Sequence, residues 1–85
     1  MRIKIVQVGE LEENCYIVEK NNKCLIIDPG SEFNKIKENI DKEVIGILIT
    51  HSHYDHVGAL KEAKNYYNIK VYEYKNLKEG KITIG

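Results

Sequence analysis

Hydrophobic and polar residues alternate at the start of the chain. Over Arg2–Val8, Ile3 and Ile5 fall on one side of an extended backbone, and Val6 and Val8 fall on the other. Side chains of a strand alternate between its two faces, so this period of two predicts a β-strand.

Two short apolar runs, residues 15–18 and residues 24–27, follow the acidic stretch 10–13. Each run predicts a further strand. Asn21 and Asn22 lie between the runs, and asparagine tolerates the positive φ that a tight hairpin turn requires. We therefore expect the second and third strands to be antiparallel neighbours.

The hydrophobic period lengthens after residues 28–30. An amphipathic helix is predicted over residues 32–40, because apolar residues recur there at i, i+3 and i+7. Ser31 precedes this helix, and its hydroxyl can accept a hydrogen bond from an unpaired N–H group of the first turn, so we expect Ser31 to be the N-cap. The three apolar positions are Phe33, Ile36 and Ile40.

Residues 44–49 are apolar on both alternating sets, which is typical of a central strand covered on both faces. A second helix is predicted to begin near Val57, and residues 69–74 and 81–84 predict two last strands. The resulting order, βββαβαββ, indicates an α/β fold with helices layered on a sheet. No internal repeat or linker divides the chain, so we expect residues 1–85 to form a single domain.

Composition narrows the function classes. Thirteen basic residues balance thirteen acidic ones in 85 residues, which argues against nucleic acid as a partner. No apolar run approaches the ~20 residues of a membrane span, and no signal-peptide pattern is present, so we expect a cytoplasmic protein that does not bind membranes. Cys15 and Cys24 are then expected to be thiols. A turn at residues 21–22 puts Cys24 opposite Glu19, which also argues against a disulfide.

All three histidines of the chain, His51, His53 and His56, fall within six residues together with Asp55. They follow a predicted buried strand, and open α/β sheets place ligands at the carboxyl ends of their strands. His51 and His53 are two apart and point the same way on extended backbone, whereas Asp55 and His56 lie a short turn further on. Imidazole and carboxylate groups bind zinc, iron or manganese, so the cluster predicts a metal site.

A structural role for these histidines is the alternative. One histidine near a strand end is commonly a hydrogen-bonded surface residue, but three histidines and a carboxylate in six residues are hard to explain in that way. An affinity tag does not explain them either, because the cluster is internal and interrupted.

The run from His51 to His56 resembles the HxHxDH signature of the metallo-β-lactamase fold superfamily. Asn14-Cys15-Tyr16 and residues 25–30 resemble the opening strands of its glyoxalase II-like (hydroxyacylglutathione hydrolase-like) branch. The resemblance covers essentially the whole chain and implies half of an αββα sandwich, a mixed sheet with helices on one face.

The same resemblance implies roles for individual residues. His51 and His53 are expected to help hold a first metal ion, and Asp55 and His56 a second. The ions expected are Zn²⁺, with iron or manganese possible, up to two per complete site, and a hydroxide between them is the nucleophile. Asp55 is the expected catalytic residue because its spare oxygen can orient that hydroxide. Asp28 is expected to orient the histidine loop from behind the ligands; a turn residue before Pro29 is its structural alternative.

The chain departs from the family pattern downstream of the motif. It has no histidine after His56 and no aspartate after Asp55, whereas the family takes its remaining ligands from that region. Ala59 also stands where the family often has glycine. The sequence therefore resembles the amino-terminal half of such an enzyme with an incomplete ligand set.

Two functions remain open at this point. One is a truncated hydrolase domain for thioesters, esters or phosphoesters, with an unknown small-molecule substrate. The other is a non-catalytic, metal-binding and self-associating module. In either case a lone half would leave an apolar sheet face in water, so we expect a homodimer or a missing C-terminal half to cover it.

Overall fold

The computed structural model describes residues 1–50 and 57–73. Within these ranges the chain forms five strands and two helices in the order βββαβαβ, which confirms the predicted α/β class. The predicted strand at residues 81–84 lies outside the described residues. The elements are β1 (Arg2–Val8), β2 (Glu13–Lys20), β3 (Lys23–Ile27), α1 (Phe33–Glu38), β4 (Glu43–Ile49), α2 (Val57–Tyr67) and β5 (Val71–Glu73).

The strands form one mixed sheet in the order β1-β2-β3-β4-β5. β1, β2 and β3 are antiparallel neighbours, whereas β3, β4 and β5 run parallel. The parallel pairs arise where a helix lies between two strands in the chain. The helical crossover brings the chain back to the end of the sheet at which the preceding strand began, so the next strand runs in the same direction. β4 therefore lies inside the sheet, as its apolar sequence predicts, although the side chain of Ile45 is 46% exposed.

The hairpin between β2 and β3 forms as the sequence predicts. Asn21 and Asn22 have φ values of 53° and 65°, the left-handed conformation that the turn needs. This turn pairs Glu19 with Cys24. Both cysteines, Cys15 and Cys24, are free and buried.

The helices cover one face of the sheet. That face supplies the strand residues of a single hydrophobic core, and α1 and α2 contribute Phe33, Ile36, Ala59 and Ala63 to it. None of the described helices has both the length and the apolarity needed to cross a membrane. The core residues from the strands are Val6, Val8, Cys15, Ile17, Cys24, Ile26, Val44, Ile47, Ile49 and Val71.

The opposite face is apolar as well, and no described helix lies on it. Ile3 and Ile5, at the β1 edge of this face, are 55% and 59% exposed. Leu25 and Tyr72 pack over Gly46 of β4, so that a Cβ atom on Gly46 would lie 3.2 Å from a carbon of each side chain. The strand pairings place uncharged side chains across the centre of this face: Ile3, Ile5, Tyr16, Val18, Leu25, Ile27, Leu48 and Tyr72.

Helix α1 begins later than predicted, and Ser31 is not its N-cap. Glu32 precedes the helix in a left-handed conformation, φ 52° and ψ 56°, and no side chain caps the first turn. The Glu32 carboxylate instead accepts a hydrogen bond from the backbone N–H of Gly9 at 2.7 Å. A long-range contact therefore replaces the local cap that the sequence suggested.

A charged cluster joins the elements at the end of the sheet where β1 begins. Glu19 is 5% exposed, and its Oε2 accepts no hydrogen bond among the described residues. Lys4 Nζ lies 3.4 Å from this oxygen and 3.7 Å from Oδ1 of Asp41. The same ammonium group donates to the carbonyl of Asn39 at 2.9 Å. Lys4 is thus the closer and less exposed of two cations that compensate a buried carboxylate. The other is Arg2, whose Nε lies 3.9 Å from Oε1 of Glu19 on a side chain that is 73% exposed.

Replacing Lys4 by methionine leaves the Glu19 carboxylate buried without that compensation. We expect the free energy of unfolding to fall by about 2–3 kcal/mol, because an uncompensated buried charge is strongly destabilising. Urea denaturation followed by circular dichroism measures the change.

Lys42→Met is the matched control, because Lys42 contacts Asp41, whose side chain is 67% exposed; we expect a loss below about 0.5 kcal/mol. Adding Glu19→Gln to Lys4→Met should recover at least half of the lost stability. Equal losses for Lys4→Met and Lys42→Met contradict the assignment.

Candidate functional site

The carboxyl ends of β3 and β4 lie side by side, because these two strands are parallel neighbours. Ile27 pairs with Leu48 near the end of the ladder, and the N–H of Asp28 donates to the carbonyl of Leu48 at 3.0 Å. Asp28 and Thr50, the residues that follow the two strands, are therefore brought together at one edge of the sheet. We call this end of the sheet, where β1, β3 and β4 finish at Val8, Ile27 and Ile49, the carboxyl edge.

Asp28 accepts two hydrogen bonds from Thr50. Its Oδ1 accepts from the backbone N–H of Thr50 at 2.8 Å, and its Oδ2 accepts from the Thr50 hydroxyl. Asp28 has a φ of 56°, a left-handed conformation that aspartate tolerates better than most residues. The carboxylate thereby fixes the backbone and the side chain of the residue that directly precedes His51.

The predicted metal ligands stand between β4 and α2 in the chain. His51, His53, Asp55 and His56 lie outside the described residues, so their arrangement remains a prediction. The described ranges, 1–50 and 57–73, contain no group of three or more histidine, cysteine, aspartate or glutamate side chains suited to a metal ion. The donor set of the motif, imidazole with carboxylate, does fit zinc or iron.

Cys15 lies in β2 near Asp28, but its thiol is packed in the core and is disfavoured as a metal ligand. Its side chain is fully buried. Burial raises the pKa of the thiol to about 12, and the negative charge of Asp28 adds to the shift. A metal binds thiolate rather than thiol, and at neutral pH Cys15 remains protonated. It is a packing residue of the core, as the sequence predicts.

The loop between β1 and β2 also lies at the carboxyl edge, and the sequence assigned it no role. It packs against residues 30–31, two residues beyond Asp28: a Cβ on Gly30 would lie 2.9 Å from Oε2 of Glu13, and a Cβ on Gly9 would lie 2.8 Å from Oγ of Ser31. Gly9 has a φ of 77°, so glycine satisfies both the conformation and the close approach. Nothing in the acidic sequence of residues 10–13 indicates this packing.

The loop and Ser31 enclose a cavity of about 460 Å³. The cavity lies where β1 and β2 reach the carboxyl edge. Leu11 is one of its lining residues, and the Leu11 side chain is 81% exposed. The lining residues are Val8, Gly9, Glu10, Leu11, Glu13 and Ser31.

Residues 8–82 match the sequence model of the metallo-beta-lactamase superfamily. The chain belongs to that superfamily, which confirms the resemblance found in the motif. The match includes β2, β3 and β4 and the histidine motif that follows β4.

Three curated relatives are hydrolases by name. The chain is 38% identical over 81 residues to a probable metallo-hydrolase, YqgX, of Bacillus subtilis, covering 92% of this chain and 38% of the relative. It is 33% identical over 76 residues to hydroxyacylglutathione hydrolase GloC of Haemophilus influenzae, covering 85% and 36%. A probable polyketide biosynthesis zinc-dependent hydrolase, BaeB, of Bacillus velezensis is 35% identical over 63 residues, covering 68% and 28%. The chain thus spans less than two-fifths of the length of these relatives.

Two solved structures share the fold. The B3 metallo-beta-lactamase BLEG-1 superposes with a TM-score of 0.71 at 27% identity, covering 88% of this chain and 38% of that one. TTHA1623, solved in a di-iron-bound form, gives 0.69 at 36% identity, covering 81% and 36%. The chain is a hydrolase-like domain of the metallo-beta-lactamase superfamily.

Replacing Asp28 by alanine removes both hydrogen bonds to Thr50. We expect zinc affinity to fall by about ten-fold or more, because groups that orient metal ligands contribute that much to binding. Asp28→Asn should lose less, since asparagine keeps the left-handed backbone and one acceptor oxygen. Competition with a chromophoric chelator measures the affinity.

Asp41→Ala removes an exposed carboxylate at the other end of the sheet and should leave zinc affinity unchanged. If folded Asp28→Ala protein binds zinc as tightly as the parent chain, Asp28 is only a turn residue.

Proposed function

We propose that the chain is the amino-terminal part of a metal-dependent hydrolase that cleaves a thioester, ester or phosphoester, with its ligand set completed by residues outside this chain. The observation that carries the proposal is the pair of hydrogen bonds from Thr50 to Asp28. They hold the strand end that leads into the histidine motif at the edge where α/β sheets bind ligands.

The proposed ligands are His51 and His53 for one ion and Asp55 and His56 for a second. Their donor atoms suit zinc, and iron or manganese are alternatives. Support comes from a relative named as a zinc-dependent hydrolase and from a structural neighbour solved with two iron ions. Zinc bound there would lower the pKa of water to about 7 and polarise the oxygen of the bond under attack.

The residues of this chain then have separate tasks. Asp28 holds Thr50, the residue that leads into the motif, and its proposed task is to lower the entropic cost of bringing His51 and His53 onto the ion. Asp55 is the proposed catalytic residue: the oxygen not used for ligation accepts a hydrogen bond from the attacking water and orients it. Hydroxyacylglutathione thioesters are candidate substrates of the whole protein, because a relative carries that activity in its name.

A non-catalytic metal-binding module is the second candidate. It is favoured by the ligand count, since the motif offers each ion only two side chains. An ion held by two side chains binds weakly compared with a full ligand shell.

The apolar face of the sheet on which no described helix lies motivates a proposal about assembly. Ile3 and Ile5 expose more than half of their surface there, and contiguous apolar surface of this kind marks an interface. We propose that a second copy of the chain or the missing C-terminal half covers it. We also propose a cytoplasmic location, and the neutral charge balance argues against a nucleic-acid partner.

Replacing His51 and His53 together by alanine tests the metal site. We expect the folded protein to lose at least one zinc ion per chain, measured by native mass spectrometry, while Asp41→Asn keeps the full complement. Asp55→Asn should abolish any thioesterase or phosphodiesterase activity of the zinc-loaded chain. Unchanged zinc content in the double variant rules out both candidate functions, and hydrolysis that Asp55→Asn abolishes favours the hydrolase over the non-catalytic module.

Replacing Ile5 by lysine tests the assembly. We expect the parent chain to be a dimer or larger by light scattering, and the variant to become monomeric because burying the new ammonium group is costly. Tyr66→Lys is the control, because Tyr66 is 61% exposed but lies on α2, on the helix side of the sheet. A well-dispersed monomeric parent chain contradicts self-association.

A further inference from the structure

The cavity beside the loop between β1 and β2 combines apolar and acidic walls. Val8 and Leu11 supply hydrophobic surface, and Glu10 and Glu13 supply carboxylates. Among the described residues, none of those that line it is a lysine or an arginine. An uncharged apolar group fits this lining, whereas an anionic group would face two carboxylates with no cation to offset them.

One basic side chain lies near this cavity without lining it: Lys35 of α1 donates to the carbonyl of Gln7, next to Val8. Three others lie at the opposite end of the sheet. The cavity at the opposite end of the sheet is lined by Arg2, Lys20 and Lys42, together with Met1, Glu19, Asn21 and Asn22. The two ends therefore differ in charge, although the chain as a whole is neutral. An anion would find cationic side chains at the end that is remote from Asp28 and Thr50.

The position of the cavity relates it to the proposed reaction. The loop leads into β2, and β2 is separated from β4 only by β3. Neighbouring strands are about 4.8 Å apart, so the cavity lies roughly 10 Å along the carboxyl edge from the strand that ends at Thr50. That separation suits a substrate with its reacting group near the motif and an apolar chain extending along the edge.

The loop is held in place rather than free to fold away. Its first residue, Gly9, donates its N–H to the Glu32 carboxylate at 2.7 Å, and the N–H of Glu12 donates to the Gly9 carbonyl at 3.1 Å. Because the backbone on both sides of Leu11 is fixed, this exposed side chain is presented to the edge at little entropic cost on binding.

We infer that this cavity takes the uncharged acyl group of an ester or thioester substrate, with Leu11 as the residue that selects for acyl-chain length. The inference rests on the proposed hydrolase function. It narrows the substrate classes of that proposal, because the carboxylates of the cavity disfavour phosphoesters. Leu11 contacts the part of the substrate that does not react, and Glu10 and Glu13 discriminate against anions.

Binding of substrate analogues tests this without any turnover. The probes are two ketones in which a methylene replaces the thioester sulfur, one with an acetyl group and one with an octanoyl group. They are titrated into the full chain in the presence of EDTA, and binding is followed by NMR of the leucine methyl groups. We expect the octanoyl analogue to bind about ten-fold more tightly, and Leu11→Ser to remove most of that difference.

Tyr66→Ser is the control, because it changes an exposed aromatic residue on α2 and should preserve the preference. Equal affinities of the two ketones, or a preference unchanged in Leu11→Ser, overturns the inference whether or not the zinc-loaded chain hydrolyses thioesters. A preference that depends on Leu11 in a chain that binds no zinc upholds the cavity and overturns the proposed metal site.

Octyl phosphate tests the charge discrimination. We expect it to bind at least about ten-fold more weakly than the octanoyl ketone, and the gap to narrow in the double variant Glu10→Gln, Glu13→Gln. Binding of octyl phosphate as tight as that of the ketone overturns the exclusion of phosphoesters.

Discussion

The hydrogen bonds between Asp28 and Thr50 are the contact on which the arrangement of the carboxyl edge depends. They join the ends of two parallel strands that a helix separates in sequence, and they are made by a charged acceptor, so each is stronger than a neutral hydrogen bond. Asp28 adopts a left-handed backbone conformation to make them, a strain of the order of 1 kcal/mol that the two bonds offset. Thr50, the last described residue before the histidine motif, is consequently held by the fold.

The two ends of the sheet are stabilised by different means. At the end where β1 begins, Lys4 links the buried carboxylate of Glu19 to the segment that precedes β4. At the carboxyl edge, backbone N–H groups are satisfied by the carboxylates of Asp28 and Glu32. Buried ion pairs favour a unique packing more than they add stability, whereas carboxylates that accept backbone hydrogen bonds fix loops. The edge with fixed loops is the one that carries the candidate site and the neighbouring cavity.

Features set by neighbouring residues could be predicted from the sequence. The alternation in β1, the turn at Asn21 and Asn22, and the register that pairs Glu19 with Cys24 all follow from local spacing, and the structure confirms them. The start of α1 could not be predicted, because Glu32 uses its carboxylate on Gly9, 23 residues away, instead of leaving the cap to Ser31. The loop between β1 and β2 was recognised as a loop, but its packing against Gly30 has no signature in the sequence.

The sequence by itself determined the chemistry available to this protein: three imidazoles and a carboxylate within six residues, a donor set that indicates a metal site because few other uses need that combination. It also determined the period of each strand, since that is a property of adjacent residues. Only the tertiary structure decided which distant residues meet. The parallel pairing of β3 and β4 brings Asp28 to Thr50, and the antiparallel pairing of β1 and β2 brings an exposed leucine and an acidic cavity to the same edge. Both follow from strand order, which depends on how the helices and the core pack rather than on any local pattern.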